Sequence, residues 1–283
     1  MSTPADADGS FDLEFETPAA PGEHGWTQEP PPGAPARGPR RLAAPEERLV
    51  SLLSPTSFEA EQYRMLRHRV EEWHRRTGGR VIAVTSPAGS DGKTTTAINL
   101  AGSLAQALDA RVLLVEADLR RPALSSHLGM RGASTPGLVD AILGSRVPLT
   151  DIVRVRPRFN LKFVPAGTPP PAAYEVLKSP RLVDLMSEAR TAFDYVVVDT
   201  PPVVLCPDYR LLERCIDAAM LVVAAHRTPR RLVEQALRAI DPAKLFGLLF
   251  NGDDSRDAEY HYSSYPASWG HKRAPVSRLR GGG

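Results

Sequence analysis

VIAVTSPAGSDGKTTTAINLAGSLAQAL, residues 81–108, decides how the rest of the chain is read. An apolar run, Val81–Val84, enters a glycine-bearing turn. Beyond the turn, Ala97, Ala101, Leu104, Ala105 and Leu108 recur at helical spacing. The pattern predicts strand, loop, helix. Between the two elements stands Gly89-Ser90-Asp91-Gly92-Lys93-Thr94-Thr95, which has the makeup of a phosphate-binding loop. Several backbone N–H groups converge on one anion only where glycine frees the backbone and a helix N-terminus favours negative charge. Lys93 then reaches the terminal phosphates, and the Thr94 hydroxyl is placed to hold Mg²⁺. The strict pattern G-x-x-x-x-G-K-[ST] fails by one position, because Pro87 stands where the first glycine belongs. Gly-Lys-Thr alone is a common chance match. Its position after a buried-type strand and before a helix favours this reading over an ordinary turn with a helix-starting threonine.

At 283 residues the chain has room for one large α/β domain plus tails. The net charge of +2 gives no global field for nucleic acid, and no nucleic-acid partner is expected. Cys206 and Cys215 match neither a disulfide framework nor a metal-site spacing, which fits a reducing cytosol. The longest apolar stretch, Ala218–Ala225, has eight residues. A membrane span needs about 20, and no signal peptide is visible. The expectation is a soluble cytoplasmic chain that meets the inner face of the membrane only through a partner.

Residues 1–45 carry seven acids, three arginines and the run PPPGAPARGPR, the composition of a disordered tail. From Glu46 the character changes. Ser57 is placed to cap a helix carrying Phe58, Tyr63, Met65, Leu66, Val70 and Trp73. Glu61, Arg64 and Arg67 line one side of it, where Glu61 can hold Arg64 while Arg67 reaches outward. On composition alone this is a solvated face.

RVLLVEADLRRP, residues 111–122, predicts a buried strand with Glu116 and Asp118 at its carboxyl end, on the same side. In a doubly wound sheet ligands bind beyond that end. Two acids one strand from a phosphate loop suggest Mg²⁺ handling or activation of an attacking oxygen, and Arg120 answers either phosphates or an acid. FDYVVVDTPPV, residues 193–203, has the form of a Walker B strand, with Asp199 at the carboxyl edge to hold Mg²⁺ directly or through water. Further elements are expected as a helix over 136–144, a strand over 161–165, helices from 172 and over 180–192, and a helix over 206–216. A strand over 218–225, a helix over 229–240 and a last strand from 245 to Asn251 complete the chain. Asn251 can read the edge of adenine, although Asn-Gly is also a turn signal. The alternation predicts a doubly wound, mostly parallel α/β sheet with helices on both faces. Tyr260, Tyr262 and Tyr265 cluster in a polar tail that ends in a basic extension.

The ordered series EQYRMLR at 61–67, SPAGSDGKTTTAINLA at 86–101, LLVEADLRRP at 113–122, FVPAGTPPPAAYEVLKSP at 163–180, FDYVVVDTPPV at 193–203, LVVAAHRT at 221–228 and the tyrosine cluster resembles the bacterial tyrosine kinases of polysaccharide export. These are P-loop NTPases related to MinD/ParA ATPases. The resemblance implies a disordered tail over 1–45, a kinase/ATPase domain with an N-terminal oligomerisation helix over 46–252, and a flexible tyrosine-bearing tail over 253–283. It implies ATP and Mg²⁺ as cofactors, with nucleotide contacts at Gly89, Ser90, Asp91, Gly92, Lys93, Thr94, Thr95, Arg120 and Asn251. Lys93, Glu116, Asp118 and Asp199 become the catalytic candidates, with Asp118 as base, and Thr94, Asp118 and Asp199 the metal ligands. Glu61, Arg64 and Arg67 would contact a neighbouring copy in a ring, and Tyr260, Tyr262 and Tyr265 would accept the γ-phosphoryl group in trans. A transmembrane chain-length regulator would switch the kinase on and a cognate tyrosine phosphatase would reset it. The alternatives are a weak or inactive ATP-binding scaffold of the same export system and a MinD/ParA-type positioning ATPase. Ala88, where that last group has a second lysine, disfavours it. Glu116 also departs from the family, which favours Asp there, so it must fold back, act through water or weaken the metal. Asp91 must point outward to avoid repelling phosphate.

Overall fold

In the computed structural model the described residues are 44–252 except 108, 131–135, 145–146 and 157–158. They open with α1 (Val50–Leu53) and α2 (Phe58–Thr77), then β1 (Val81–Thr85), α3 (Lys93–Leu104), β2 (Val112–Glu116) and α4 (Leu124–His127). Next come α5 (Leu138–Leu143), α6 (Leu149–Ile152), β3 (Arg154–Arg156), β4 (Leu161–Val164), α7 (Ala173–Lys178), α8 (Pro180–Ala192) and β5 (Tyr195–Asp199). Last are α9 (Asp208–Leu212), β6 (Ala218–Ala224), α10 (Arg230–Ala239) and β7 (Leu245–Asn251), with single 3₁₀ turns at Glu213–Cys215 and Pro242–Lys244. No helix among the described residues is long and apolar enough to cross a membrane.

The sheet has the order β3-β4-β2-β5-β1-β6-β7, and every neighbouring pair is parallel except β3 with β4. The three residues Arg154–Arg156 are too short to show a period, so this edge strand escapes sequence reading. The central strands are apolar on both faces because helices cover both. Val81, Ala83, Leu113, Val115, Val196 and Val198 belong to one core cluster, and Ile82, Val84, Val112, Leu114 and Val197 to the other. This two-residue alternation puts Glu116 and Asp199, which pair in register, on the face covered by α3.

α2 starts as its sequence dictates: the Ser57 hydroxyl accepts from the Ala60 N–H, and Gly78 at φ +70° ends the helix. Its apolar stripe is only partly used. Val70 is fully buried and Trp73 packs edge-on against Phe246, whereas Met65 is 55% exposed. α3 is buried along nearly all its length, and its Asn99 side chain joins α1 to the core by accepting from Ser51 N and donating to Arg48 O. Leu108, expected on its apolar face, lies outside the described residues, as do the tail over 1–43 and the tyrosines at 260, 262 and 265. The helix expected over 206–216 shortens to α9 and a 3₁₀ turn. Pro207 pushes Cys206 away from helical backbone angles, so the helix starts only after it.

Gly137 caps α5 under the loop that follows β4. A Cβ there would stand 2.3 Å from Pro165 O and 2.4 Å from Gly167 N. Gly137→Ala is expected to lower stability by about 1–3 kcal/mol, because backbone rather than a flexible side chain must give way. Urea unfolding checks this, and an unchanged midpoint would contradict it.

Candidate nucleotide site

The chain leaves β1 through a turn whose backbone is set at two positions. Ser90 and Gly92 take φ of +66° and +94°, the left-handed region. At Gly92 the positive φ is what requires glycine, and a Cβ would also displace the Asn251 amide 1.9 Å away. That amide donates to Asp91 O at 3.0 Å. Asn251 therefore braces the loop from the end of β7 with one of its two amide hydrogens.

Asp91 does not point outward. It is buried, with Oδ2 accepting from Ala88 N at 3.0 Å and Oδ1 from the Thr228 hydroxyl at 2.9 Å. Its negative charge is spent inside the loop's own hydrogen bonds, which answers the repulsion expected of it. Arg227 adds a bond to Ser90 O at 3.0 Å. The brace formed by Arg227, Thr228 and Asn251 was missed from sequence, although LVVAAHRT lies inside a recognised motif. Thr95 contributes its carbonyl to Asn99 Nδ2 at 3.0 Å.

Lys93, Thr94, Asp118 and Asp199 converge beyond this loop. Lys93 Nζ lies 2.7 Å from Asp118 Oδ2 and 3.5 Å from Asp199 Oδ1, while the Thr94 hydroxyl donates to Asp199 Oδ2 at 2.6 Å. All four side chains are buried. Burial works against the Lys93 charge, but the Asp199 and Asp118 carboxylates together outweigh it and raise its pKa. Burial also raises the Asp199 carboxyl, in spite of the Lys93 charge and the Thr94 hydroxyl. Two carboxylates share one ammonium, so the pocket favours added positive charge. Asp199 Oδ1 is buried without a hydrogen-bond partner. The Thr94 hydroxyl, Asp118 and Asp199 are the oxygen donors that would hold Mg²⁺ here.

Glu116 is brought to the same face but not into this cluster. Oε1 accepts from Ala123 N at 2.5 Å and Leu124 N at 2.6 Å, and Oε2 accepts from Ala166 N at 3.1 Å. It folds back to cap α4, which has no side-chain cap of its own, and ties that helix start to the loop after β4. In this structure Glu116 is thus held by backbone amides rather than by Lys93 or Thr94. Its long side chain reaches two backbone segments, the start of α4 and the loop after β4.

Arg120 turns to an acid rather than toward phosphate. Its guanidinium makes a paired contact with Asp208 at 2.7 and 2.8 Å, and Asp208 is fully buried at the start of α9. Asp208 was missed, and the signal for it was an arginine that lacked an acid. Arg64 holds Glu61, as its spacing implied, and also the carbonyl of Pro55. Arg67 does not reach outward. It is spent on Glu71 at 2.6 Å and on Ser103 O at 2.9 Å, which pins α2 to α3.

With this geometry in hand, the similarities are specific. An AAA domain family model matches residues 79–210. The chain is 31% identical over 220 residues to Tyrosine-protein kinase YwqD of Bacillus subtilis (strain 168), covering 77% of this chain and 91% of that protein. It is 32% identical over 220 residues to Succinoglycan biosynthesis transport protein ExoP of Rhizobium meliloti (strain 1021), covering 75% of this chain but 28% of that longer one. Among solved structures it superposes on the BceF tyrosine kinase domain with a TM-score of 0.64 at 29% identity, covering 75% of this chain and 91% of that domain.

Burial lifts the Glu116 carboxyl from 4.5 to about 7, against the pull of its three amide donors. Between those two values the unfolded chain has released a proton that the folded chain still holds. The Glu116 contribution to stability therefore falls as pH rises from 4.5 toward 7 and levels off above. Urea midpoints across that window are expected to show a downward trend that Glu116→Gln flattens. An identical slope in both proteins would contradict the assignment.

Proposed function

The chain belongs to the bacterial tyrosine kinase family, and on that premise we propose that it transfers the γ-phosphoryl group of ATP to protein tyrosine in a polysaccharide export system. The observation that carries the reading is Lys93 held by Asp118 at 2.7 Å beside a Thr94–Asp199 hydrogen bond of 2.6 Å, directly after the glycine loop. The export context is carried over from the name of ExoP, a succinoglycan transport protein. A membrane chain-length regulator of the export system is the proposed activating partner. The tail tyrosines Tyr260, Tyr262 and Tyr265 are the proposed acceptors, presented by one copy of a homo-oligomer to the next.

Chemically, the loop amides and the N-terminus of α3 bind and orient the phosphates. Mg²⁺, when bound through Thr94 and Asp199 with Asp118 nearby, supplies charge neutralisation across the phosphates. Lys93, kept protonated by its two carboxylates, exchanges part of that pairing for phosphate oxygen as the nucleotide enters. This frees Asp118 to take the phenol proton, which tyrosine with its reference pKa of about 10 does not give up unaided. The phenol oxygen bonds to the γ-phosphorus as the bond to ADP breaks, and the proton passes to the Asp118 carboxylate.

The test is phosphotyrosine formed by the purified full chain with ATP and Mg²⁺, with and without a candidate regulator's cytosolic peptide. Signal is expected on the C-terminal tyrosines, to fall by at least about 100-fold in Lys93→Met and to persist in Tyr174→Phe. Absence of phosphotyrosine with the regulator peptide present, while ATP still binds, would leave the scaffold reading in its place.

A further inference from the structure

Arg120 and Arg121 are adjacent, and they meet different fates. Arg120 is spent on Asp208. Arg121 is exposed, and its guanidinium makes no ion pair or hydrogen bond among the described residues. Its backbone is nevertheless fixed by the site itself, because the Arg121 N–H donates to Asp118 Oδ1 at 3.1 Å. The side chain leaves this anchor toward the phosphate loop, and Nη1 lies 3.9 Å from where a Cβ at Gly89 would stand. An arginine with all its donors unspent thus sits over the first half of a loop built to hold phosphate.

We infer that Arg121 contacts the terminal phosphoryl group of ATP and neutralises the charge that spreads over its oxygens during transfer. The inference rests on the ATP reading above and adds the residue that distinguishes ATP from ADP. Charge balance favours it. Lys93 is already shared by two carboxylates, and a triphosphate brings more negative charge than one lysine and one divalent cation offset. A guanidinium offers two parallel N–H donors in the geometry of a phosphate edge and stays protonated throughout. Its position at the loop's first half, opposite Lys93 in the second, would clasp the phosphate chain from both ends. The phenol oxygen–phosphorus bond forms and the phosphorus–ADP oxygen bond breaks between them, while Asp118 takes the proton.

Equilibrium titration of the full chain with Mg²⁺ and either a non-hydrolysable ATP analogue or ADP tests this without turnover. Arg121→Ala is expected to weaken the ATP analogue about tenfold, while ADP affinity holds within about twofold. Arg121→Lys should recover part of the difference, since it keeps the charge and loses the fork. Thermal melts of both variants should match the parent, because Arg121 is exposed. Equal weakening of both nucleotides, or no change in either, would overturn the inference. A parent protein that separates ATP from ADP through Arg121 yet forms no phosphotyrosine would keep this inference and remove the kinase reading. A parent that binds neither nucleotide would remove both.

Discussion

Two buried carboxylates drawn onto one lysine are the constraint around which this molecule is arranged. Asp118 and Asp199 come from the ends of different segments, and each would be costly to bury alone. Lys93 at the head of α3 offsets both, with the Thr94 hydroxyl completing the contacts to Asp199. The sheet order makes the meeting possible. Placing β5 between β2 and β1 puts their carboxyl ends side by side, so that one helix start faces both acids.

Around that cluster, several polar side chains hold backbone in place. Glu116 joins the start of α4 to the loop after β4. Asp91 closes the phosphate loop on itself and on Thr228, and Asn251 ties the loop to the end of β7 through Asp91 O. Arg120 and Asp208 clamp the segment after Asp118 to α9. These contacts fix the backbone around Lys93, Asp118 and Asp199.

The central strands and the phosphate loop were legible because their signals are local: β-branched runs, alternation, and glycine beside lysine at a strand-to-helix junction. Lys93, Thr94 and Asp199 followed from them. Less legible were residues whose roles depend on a partner far along the chain. Arg120 read equally as a phosphate ligand or an acid's partner until Asp208, 88 residues on, was seen beside it. Glu116 and Asp118 share a strand end, but only the fold shows that one turns to amide donors and the other to Lys93. Arg67 has the spacing of an outward-reaching residue, and the packing of α2 on α3 decided otherwise.

The central claim is that Thr94 and Asp199, with Asp118 beside them, would hold a cation that works jointly with a nucleotide. Calorimetric titration of ADP in the presence and absence of Mg²⁺, on the parent chain and on Asp199→Asn, addresses it most directly. The account predicts binding at least about tenfold tighter with Mg²⁺ in the parent and little dependence on Mg²⁺ in the variant. ADP uptake indifferent to Mg²⁺ in the parent, or an equal Mg²⁺ effect in both proteins, would contradict it.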